Sequence, residues 1–282
     1  MDSLKISVVT VCYNAVSVLE RTIKSVIAQS FPNIEYIIID GGSTDGTIDV
    51  IKKYEDKISF WISEPDGGIY DAMNKGIKNA NGDWIIFMNA GDLFYERDTL
   101  SKMSVHLNDA IDILRGNIIR VYDRFKVKSC GVVVQNPGIM DMIHNTFHHQ
   151  ACLIRKALFE QYGLYDTEYR LCADWKFFFD CVVLHHVKSC YVDITVASFR
   201  MDGASSVNTK KCAEEHSMYL QRVYGEELSS LLEELALYRK SYVSRLCCSF
   251  RRRLIENLSP KYYGRILNMK RICCSMLGLR VN

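Results

Sequence analysis

The first ninety residues alternate between β-rich runs and helical stretches, and that alternation leaves few architectures open. The runs are Ile6 to Cys12, Glu35 to Asp40, Ser59 to Ser63 and the segment opening at Trp84. Between them lie a stripe of Leu19, Ile23, Val26 and Ile27 that stops before Pro32, a second helix to about Tyr54 with Ile48 and Ile51 inward, and a third over Ile69 to Asn79. Ser17-Val-Leu-Glu20 has the form of a capping box at the start of the first helix. Strands joined by helical crossovers pair in parallel, so this β-α-β-α-β-α-β order predicts a mainly parallel, Rossmann-like sheet with helices on both faces. Trp84-Ile-Ile-Phe-Met-Asn-Ala-Gly-Asp92 has the all-apolar character of a strand buried on both faces, running into a turn that ends in a carboxylate.

After Asp92 the pattern changes. Thr99 to His106 reads as helix. Ile111 to Leu114, Asn117 to Tyr122, Phe125 to Val134 and Phe147 to Ile154 read as shorter strands, expected to be antiparallel. Ala173 to Leu184 reads as helix, Ser189 to Phe199 as one or two strands, and the chain from Cys212 as helical. The expected organisation is a domain over 1–210, with halves 1–98 and 99–210, followed by a helical extension over 211–282.

The chain has 282 residues and a formal charge of +2, unevenly placed. From Tyr238 to the end, eleven Lys and Arg face Glu256 alone, so that tail carries about +10 and the rest about −8. Basic residues such as Arg251-Arg-Arg253, Lys261 and Arg265 interleave with Leu254, Ile255, Tyr262 and Ile266. That mixture fits helices lying on an anionic membrane better than a nucleic-acid tail; a helix packed on the domain is the competing reading. No apolar run approaches the ~18 residues of a membrane span. Met1 to Lys5 leads directly into a strand, so no secretory leader is expected. The eleven cysteines, none spaced as C-x-x-C, then read as buried thiols in a reducing cytosol.

Tyr13-Asn14, Asp40 and Asn89 to Asp92 each follow a strand. In a parallel sheet those ends share one edge, where open α/β sheets bind ligands. Taken singly, Tyr13 could be a core-edge aromatic and Asp40 a cap for the Ser43–Thr47 turn. No G-x-G-x-x-G and no phosphate-binding P-loop follows the first strand, which disfavours a dinucleotide dehydrogenase, a P-loop NTPase and a nucleotidyltransferase.

Four segments, Ser7 to Asn14, Ile39 to Gly46, Asp71 to Gly76 and Asn89 to Asp92, in this order and spacing resemble the motifs of glycosyltransferase family 2, whose members use nucleotide-sugar donors on the GT-A fold. The Asn-Ala-Gly-Asp form is similar to a subgroup among bacterial polysaccharide and O-antigen transferases. The resemblance implies donor contacts at Thr10, Tyr13, Asp40, Asp71, Asn74, Lys75, Asn89, Ala90, Gly91 and His149. Within that set Tyr13 would lie against the base, Asp40 would accept a hydrogen bond from it, and Lys75 would face the diphosphate. Asp92 matches the last acid of the family's metal motif and would hold Mn2+ or Mg2+, although Asn89 and Gly91 stand where acids are common. Two adjacent histidines on a strand, His148 and His149, would point to opposite faces. Asp174, in Cys172-Ala-Asp-Trp175, matches the general base that takes the acceptor's proton; alone, it also reads as an acid at a helix N-terminus. Phe199 to Ser206 resembles a closing loop, with Arg200 toward phosphate. The activity this resemblance implies is inverting transfer of a sugar from a nucleotide-diphospho donor, UDP-linked as is usual in that family, to a hydroxyl of a glycan or lipid-linked acceptor for cell-surface polysaccharide. A non-catalytic nucleotide-sugar-binding subunit is the alternative.

Overall fold

The computed structural model describes residues 4–122, 124–200 and 208–237. The tail over 238–282 and the loop over 201–207, including Gly203, therefore lie outside the described residues. Strands β1 (Ile6–Cys12), β2 (Ile34–Asp40), β3 (Phe60–Ser63) and β4 (Trp84–Phe87) pair in parallel in the order β3-β2-β1-β4. Helices α1 (Val16–Ile27), α2 (Thr47–Lys53) and α3 (Ile69–Asn79) make the crossovers. Alternate residues of β1 and β2 enter different cores. Val9, Val11, Ile37 and Ile39 pack beneath α3, whereas Ile6, Val8, Tyr36 and Ile38 pack with Leu19, Ile23 and Val26 of α1. Both faces are dry, so these strands read as apolar runs rather than as alternation.

The second half adds β5 (Leu93–Phe94), α4 (Thr99–Ser104), β6 (Ile113–Val121), β7 (Lys126–Ser129), α5 (Ile139–Met142), β8 (Cys152–Arg155), α6 (Ala157–Tyr162), α7 (Ala173–Phe179), β9 (Ser189–Arg200) and α8 (Thr209–Tyr224). The sheet continues β4-β8-β6-β9-β5, with β7 paired to β6. β8 runs antiparallel to β4 and β6, while β6 and β9 are parallel. Among the described residues, no helix is long and apolar enough to cross a membrane.

Four local expectations are corrected. The Ser17–Glu20 capping box does not form: α1 starts at Val16 without a side-chain cap of its own. The loop after β2 does the capping, with Ser43 Oγ, Thr47 Oγ1 and Asp45 Oδ2 accepting the amides of Asn14, Ala15 and Val16 at 2.7, 2.8 and 3.1 Å. Glu20 instead accepts from Lys53 and Tyr54. The two short strands expected over Ile111–Leu114 and Asn117–Tyr122 are one strand, β6, bulged at Gly116. A Cβ at Gly116 would lie 2.6 Å from the Ile194 carbonyl oxygen, so the glycine marks close strand approach, not a break. Phe125–Val134 contracts to β7, because Arg115 draws the chain beyond it inward through the Val132 and Val134 carbonyls. Phe147–Ile154 is not one strand either, since His149–Ala151 forms a 3-10 turn before β8.

The core also passes the expected boundary at residue 210. Tyr219, Leu220 and Ala236 are buried with the α3 and α7 cluster. Glu215 of α8 accepts the amides of Arg170, Leu171 and Cys172 at 3.1, 3.0 and 3.1 Å, just before α7 begins. Replacing Glu215 by Ala is expected to cost roughly 2 kcal/mol or more, because charge-assisted hydrogen bonds are lost together. Urea unfolding of the variant checks it; an unchanged midpoint would make the contact dispensable.

Candidate active site

The C-terminal ends of β1, β2 and β4 form one edge, and the loops leaving them are tied to each other. Tyr13, after β1, is 65% exposed and presents a bare aromatic ring. Beside it, Asp66 lies over Gly41: a Cβ there would meet Asp66 Oδ2 at 2.4 Å and Tyr13 Cδ2 at 3.4 Å. Asp66 and Asp71 accept the Gly68 and Gly67 amides at 2.8 and 2.9 Å, which fixes the entry to α3. Lys75 reaches back to the Pro65 carbonyl at 2.9 Å and to Glu64 at 2.8 Å.

Several expected donor contacts turn their side chains into the protein. Thr10 is buried, donates to the Met88 carbonyl at 2.7 Å and lies 3.1 Å from the Tyr36 hydroxyl. Asp40 is buried within the turn it precedes, accepting from the Ser43 amide and from the Ser43 and Ser63 hydroxyls at 2.9, 2.5 and 2.6 Å. Burial pushes its carboxyl up, but those hydroxyls more than offset it and hold the pKa below the ordinary value. Asn74 pairs with both backbone groups of Tyr165, donating to its carbonyl at 2.8 Å and accepting its amide at 2.9 Å. In each case the side chain is already hydrogen-bonded within the protein.

The remaining candidates converge. Asp174, in the first turn of α7, accepts from the Tyr70 hydroxyl at 2.7 Å, and its other oxygen lies 3.0 Å from His149 Nδ1. His149 Nε2 lies 3.4 Å from Asn89 Nδ2, a long contact. The Asp174 and His149 side chains keep 14% and 20% exposure, so neither is sealed from solvent. The 3-10 turn is what aims His149 at Asp174, while His148 turns to Ser129 at 3.0 Å. Burial alone would raise the Asp174 pKa, but the His149 hydrogen bond and charge, with the Tyr70 hydroxyl, bring it below the ordinary carboxylate value. Burial depresses His149, yet Asp174 and the charge of Asp92 more than restore it, and its pKa is raised. Such a carboxylate–imidazole pair can accept a proton from a hydroxyl set beside it.

Asp92 is 8% exposed and closes the turn after β4, its amide donating to the Asn89 carbonyl at 2.8 Å. Burial raises its pKa to about 7, against the charge of His149 and the Asn89 backbone. Gly91 donates its amide to Thr22 at 2.9 Å, and Ala90 is half-buried beside it. Among the described residues no group of three His, Cys, Asp or Glu is placed to hold a metal. However, Asn89 Oδ1 is buried without a hydrogen-bond partner. With the Asp92 carboxylate it offers two hard oxygens, a donor set suited to a cation that arrives with oxygen ligands of its own. Tyr70, Asp66 and Glu215 escaped the sequence reading. Tyr70 and Asp66 adjoin the Asp71–Gly76 motif, but nothing local signals a contact spanning 104 residues, as between Tyr70 and Asp174.

Residues 7–163, more than half of the chain, match the model of glycosyl transferase family 2. A PGL/p-HBAD biosynthesis glycosyltransferase from Mycobacterium bovis is 30% identical over 209 residues, covering 71% of this chain and 78% of its own. Among solved structures, S. aureus TarS 1–349 in complex with UDP superposes with a TM-score of 0.62 at 18% identity, over 94% of this chain and 78% of that one. The chain covers 43% of a longer TarS structure. The mannosyltransferase PcManGT from Pyrobaculum calidifontis, in complex with GDP-Man and Mn2+, gives 0.64 at 14% identity, over 97% and 84%. Strand order, motif positions and these likenesses agree: the chain is a glycosyltransferase of GT-A fold and belongs to glycosyl transferase family 2.

Proposed function

We propose that the protein moves a sugar, with inversion, from a UDP-linked donor to a hydroxyl of a glycan or lipid-linked acceptor in cell-surface polysaccharide synthesis. The observation that carries this reading is the convergence of Asp174, His149 and Asn89 beside the turn that holds Asp92. UDP, UDP-GlcNAc and GDP-Man occupy the similar structures, which supports a nucleotide-diphospho sugar as donor. The exposed ring of Tyr13 supports the base, with Asp66 at its edge; Asp40 shapes that loop from beneath. Asp174, paired with His149, receives the acceptor's proton as the hydroxyl oxygen attacks the anomeric carbon. The bond to the nucleotide diphosphate breaks on the opposite side. Tyr70 holds Asp174 in position. Asp92 and Asn89 Oδ1 would hold Mn2+ or Mg2+. That cation would neutralise charge on the departing diphosphate. The basic tail over 238–282 supports a peripheral site at the inner face of the cell membrane, where a lipid-linked acceptor resides.

The test is transfer or donor hydrolysis by the purified protein in Mn2+, across UDP-, GDP- and dTDP-sugars, alongside their protection against thermal unfolding. Protection without turnover of any donor would favour the non-catalytic subunit. One variant probes the base platform. Tyr13→Ala is expected to weaken UDP binding roughly tenfold, as loss of base stacking costs about 1–3 kcal/mol, with little change in melting temperature because the ring is exposed. Unchanged affinity by calorimetry would remove Tyr13 from the donor site.

A further inference from the structure

We propose that the β6–β7 hairpin is a membrane-docking element that seats the active-site edge on an anionic phospholipid surface, an inference that rests on reading the acceptor as lipid-linked. The topology places it there. β8 is antiparallel to both β4 and β6, so β6 leaves the sheet on the same edge as the Asn89–Asp92 turn. The hairpin is closed by the Tyr122 amide donating to the Phe125 carbonyl at 2.9 Å. Its register pairs Arg120 with Val127 and Val121 with Lys126. Cross-strand partners share a face, which puts Arg120, Tyr122, Phe125 and Val127 on one side and Ile119, Val121, Lys126 and Lys128 on the other.

The side that carries the two rings is bare at its outer residues. The Tyr122 and Phe125 rings stack at 4.5 Å and 21°, yet Phe125 is 58% and Val127 42% exposed. Arg124, Lys126 and Lys128 are exposed too, and Lys128 is paired with Asp193 at 2.5 Å. In sequence, Arg120, Arg124, Lys126 and Lys128 face only Asp123 between Arg120 and Ser129. A stacked aromatic pair with basic neighbours is the composition of a segment that lies in the headgroup layer, rings down and cations against phosphates. The charge complements anionic lipid, and the position brings a lipid-borne hydroxyl to the edge where Asp174 and His149 wait.

The test uses the full chain and vesicles of phosphatidylcholine with or without phosphatidylglycerol. Two double variants are compared with wild type: Phe125→Ser with Val127→Ser, and Arg124→Glu with Lys126→Glu. Each is expected to lower partitioning onto anionic vesicles roughly tenfold. Both should leave the melting temperature and donor hydrolysis unchanged, since all four side chains are exposed and outside the donor site. Partitioning equal to wild type in both variants overturns the proposal. So does unchanged partitioning with a loss of self-association by light scattering, which would assign the patch to a second copy. Unchanged partitioning with weaker use of a short soluble acceptor would assign it to the acceptor glycan and likewise overturn it. A wild-type protein that turns over no nucleotide sugar, yet partitions in the hairpin-dependent way, would defeat the proposed function and leave the docking surface standing.

Discussion

Asp92→Asn is expected to make the metal-free protein more stable at pH 8 while removing most of its turnover. Burial holds the Asp92 carboxyl at about 7 in the folded chain, against about 3.9 when unfolded. Between those values the folded state keeps a proton that the unfolded chain has released. Stability conferred by this group therefore falls as pH rises from about 4 to about 7, and the full penalty is present above 7. A gap of that size corresponds to a penalty on the order of a few kcal/mol. The amide carries no charge and escapes it, so the variant should melt several degrees higher at pH 8, roughly 2–4 °C per kcal/mol in a domain of this size. The advantage should shrink towards zero as pH approaches about 4. Added Mn2+ with UDP should stabilise the wild type and not the variant. Turnover should fall by roughly 10²–10³, the usual loss when a group stabilising transition-state charge is removed. Scanning calorimetry across pH, paired with rate measurements, checks both halves. A variant no more stable than wild type at pH 8 refutes the buried-charge account, and full activity in metal refutes Asp92 as ligand.

The second large effect belongs to Asp174. Asp174→Asn should lower kcat by roughly 10² or more and leave donor affinity nearly intact, because it removes proton acceptance and keeps the shape. Collapse of donor affinity instead would make Asp174 a binding or structural residue. The pairing adds a pH signature. His149 is among the groups that bring the Asp174 pKa below its ordinary value. His149→Gln removes that charge, so the acid limb of kcat/KM should move to higher pH. For stability the two signs differ. The lowered Asp174 contributes stability above its unfolded pKa that is lost as pH falls. The raised His149 contributes stability below its unfolded pKa that is lost as pH rises through the folded one. An unshifted acid limb in His149→Gln would show that the imidazole does not govern the base.

The parallel half of the sheet could be read from the chain because each strand is apolar on both faces and each crossover carries a helical stripe. β1 to β4 appear within a residue or two of their expected places. The second half was harder for a physical reason. Phe147 to Ile154 has a strand's composition, and only tertiary contacts bend it into the turn that delivers His149. Ser17 to Glu20 shows the same override, where Lys53 and Tyr54 draw Glu20 away from the helix start. At the site, motif spacing located the right segments but not the direction of each side chain. Asp40 and Asn74 stand in motif positions and point inward; Tyr70, beside a motif, reaches Asp174. Asp40 turns to Ser43, three residues on, as the turn-cap reading of the sequence had it, whereas Asn74 and Tyr70 are directed by partners 91 and 104 residues away, which no local pattern encodes.

The amide of Asn74 behaves like a borrowed piece of backbone, answering both the amide and the carbonyl of Tyr165 as a neighbouring strand would. One turn earlier on the same helix, Tyr70 is bolted to Asp174. α3 is thus riveted at two points, to the Tyr165 backbone and to Asp174. A clamshell that opened between the halves would have to shear these rivets at each turnover. The spacing between α3 and the segment from Tyr165 to Asp174 is held by α3 side chains: Asn74 acts through the Tyr165 backbone, so a substitution at 74 breaks that tie where one at 165 would not, and Tyr70 acts through Asp174.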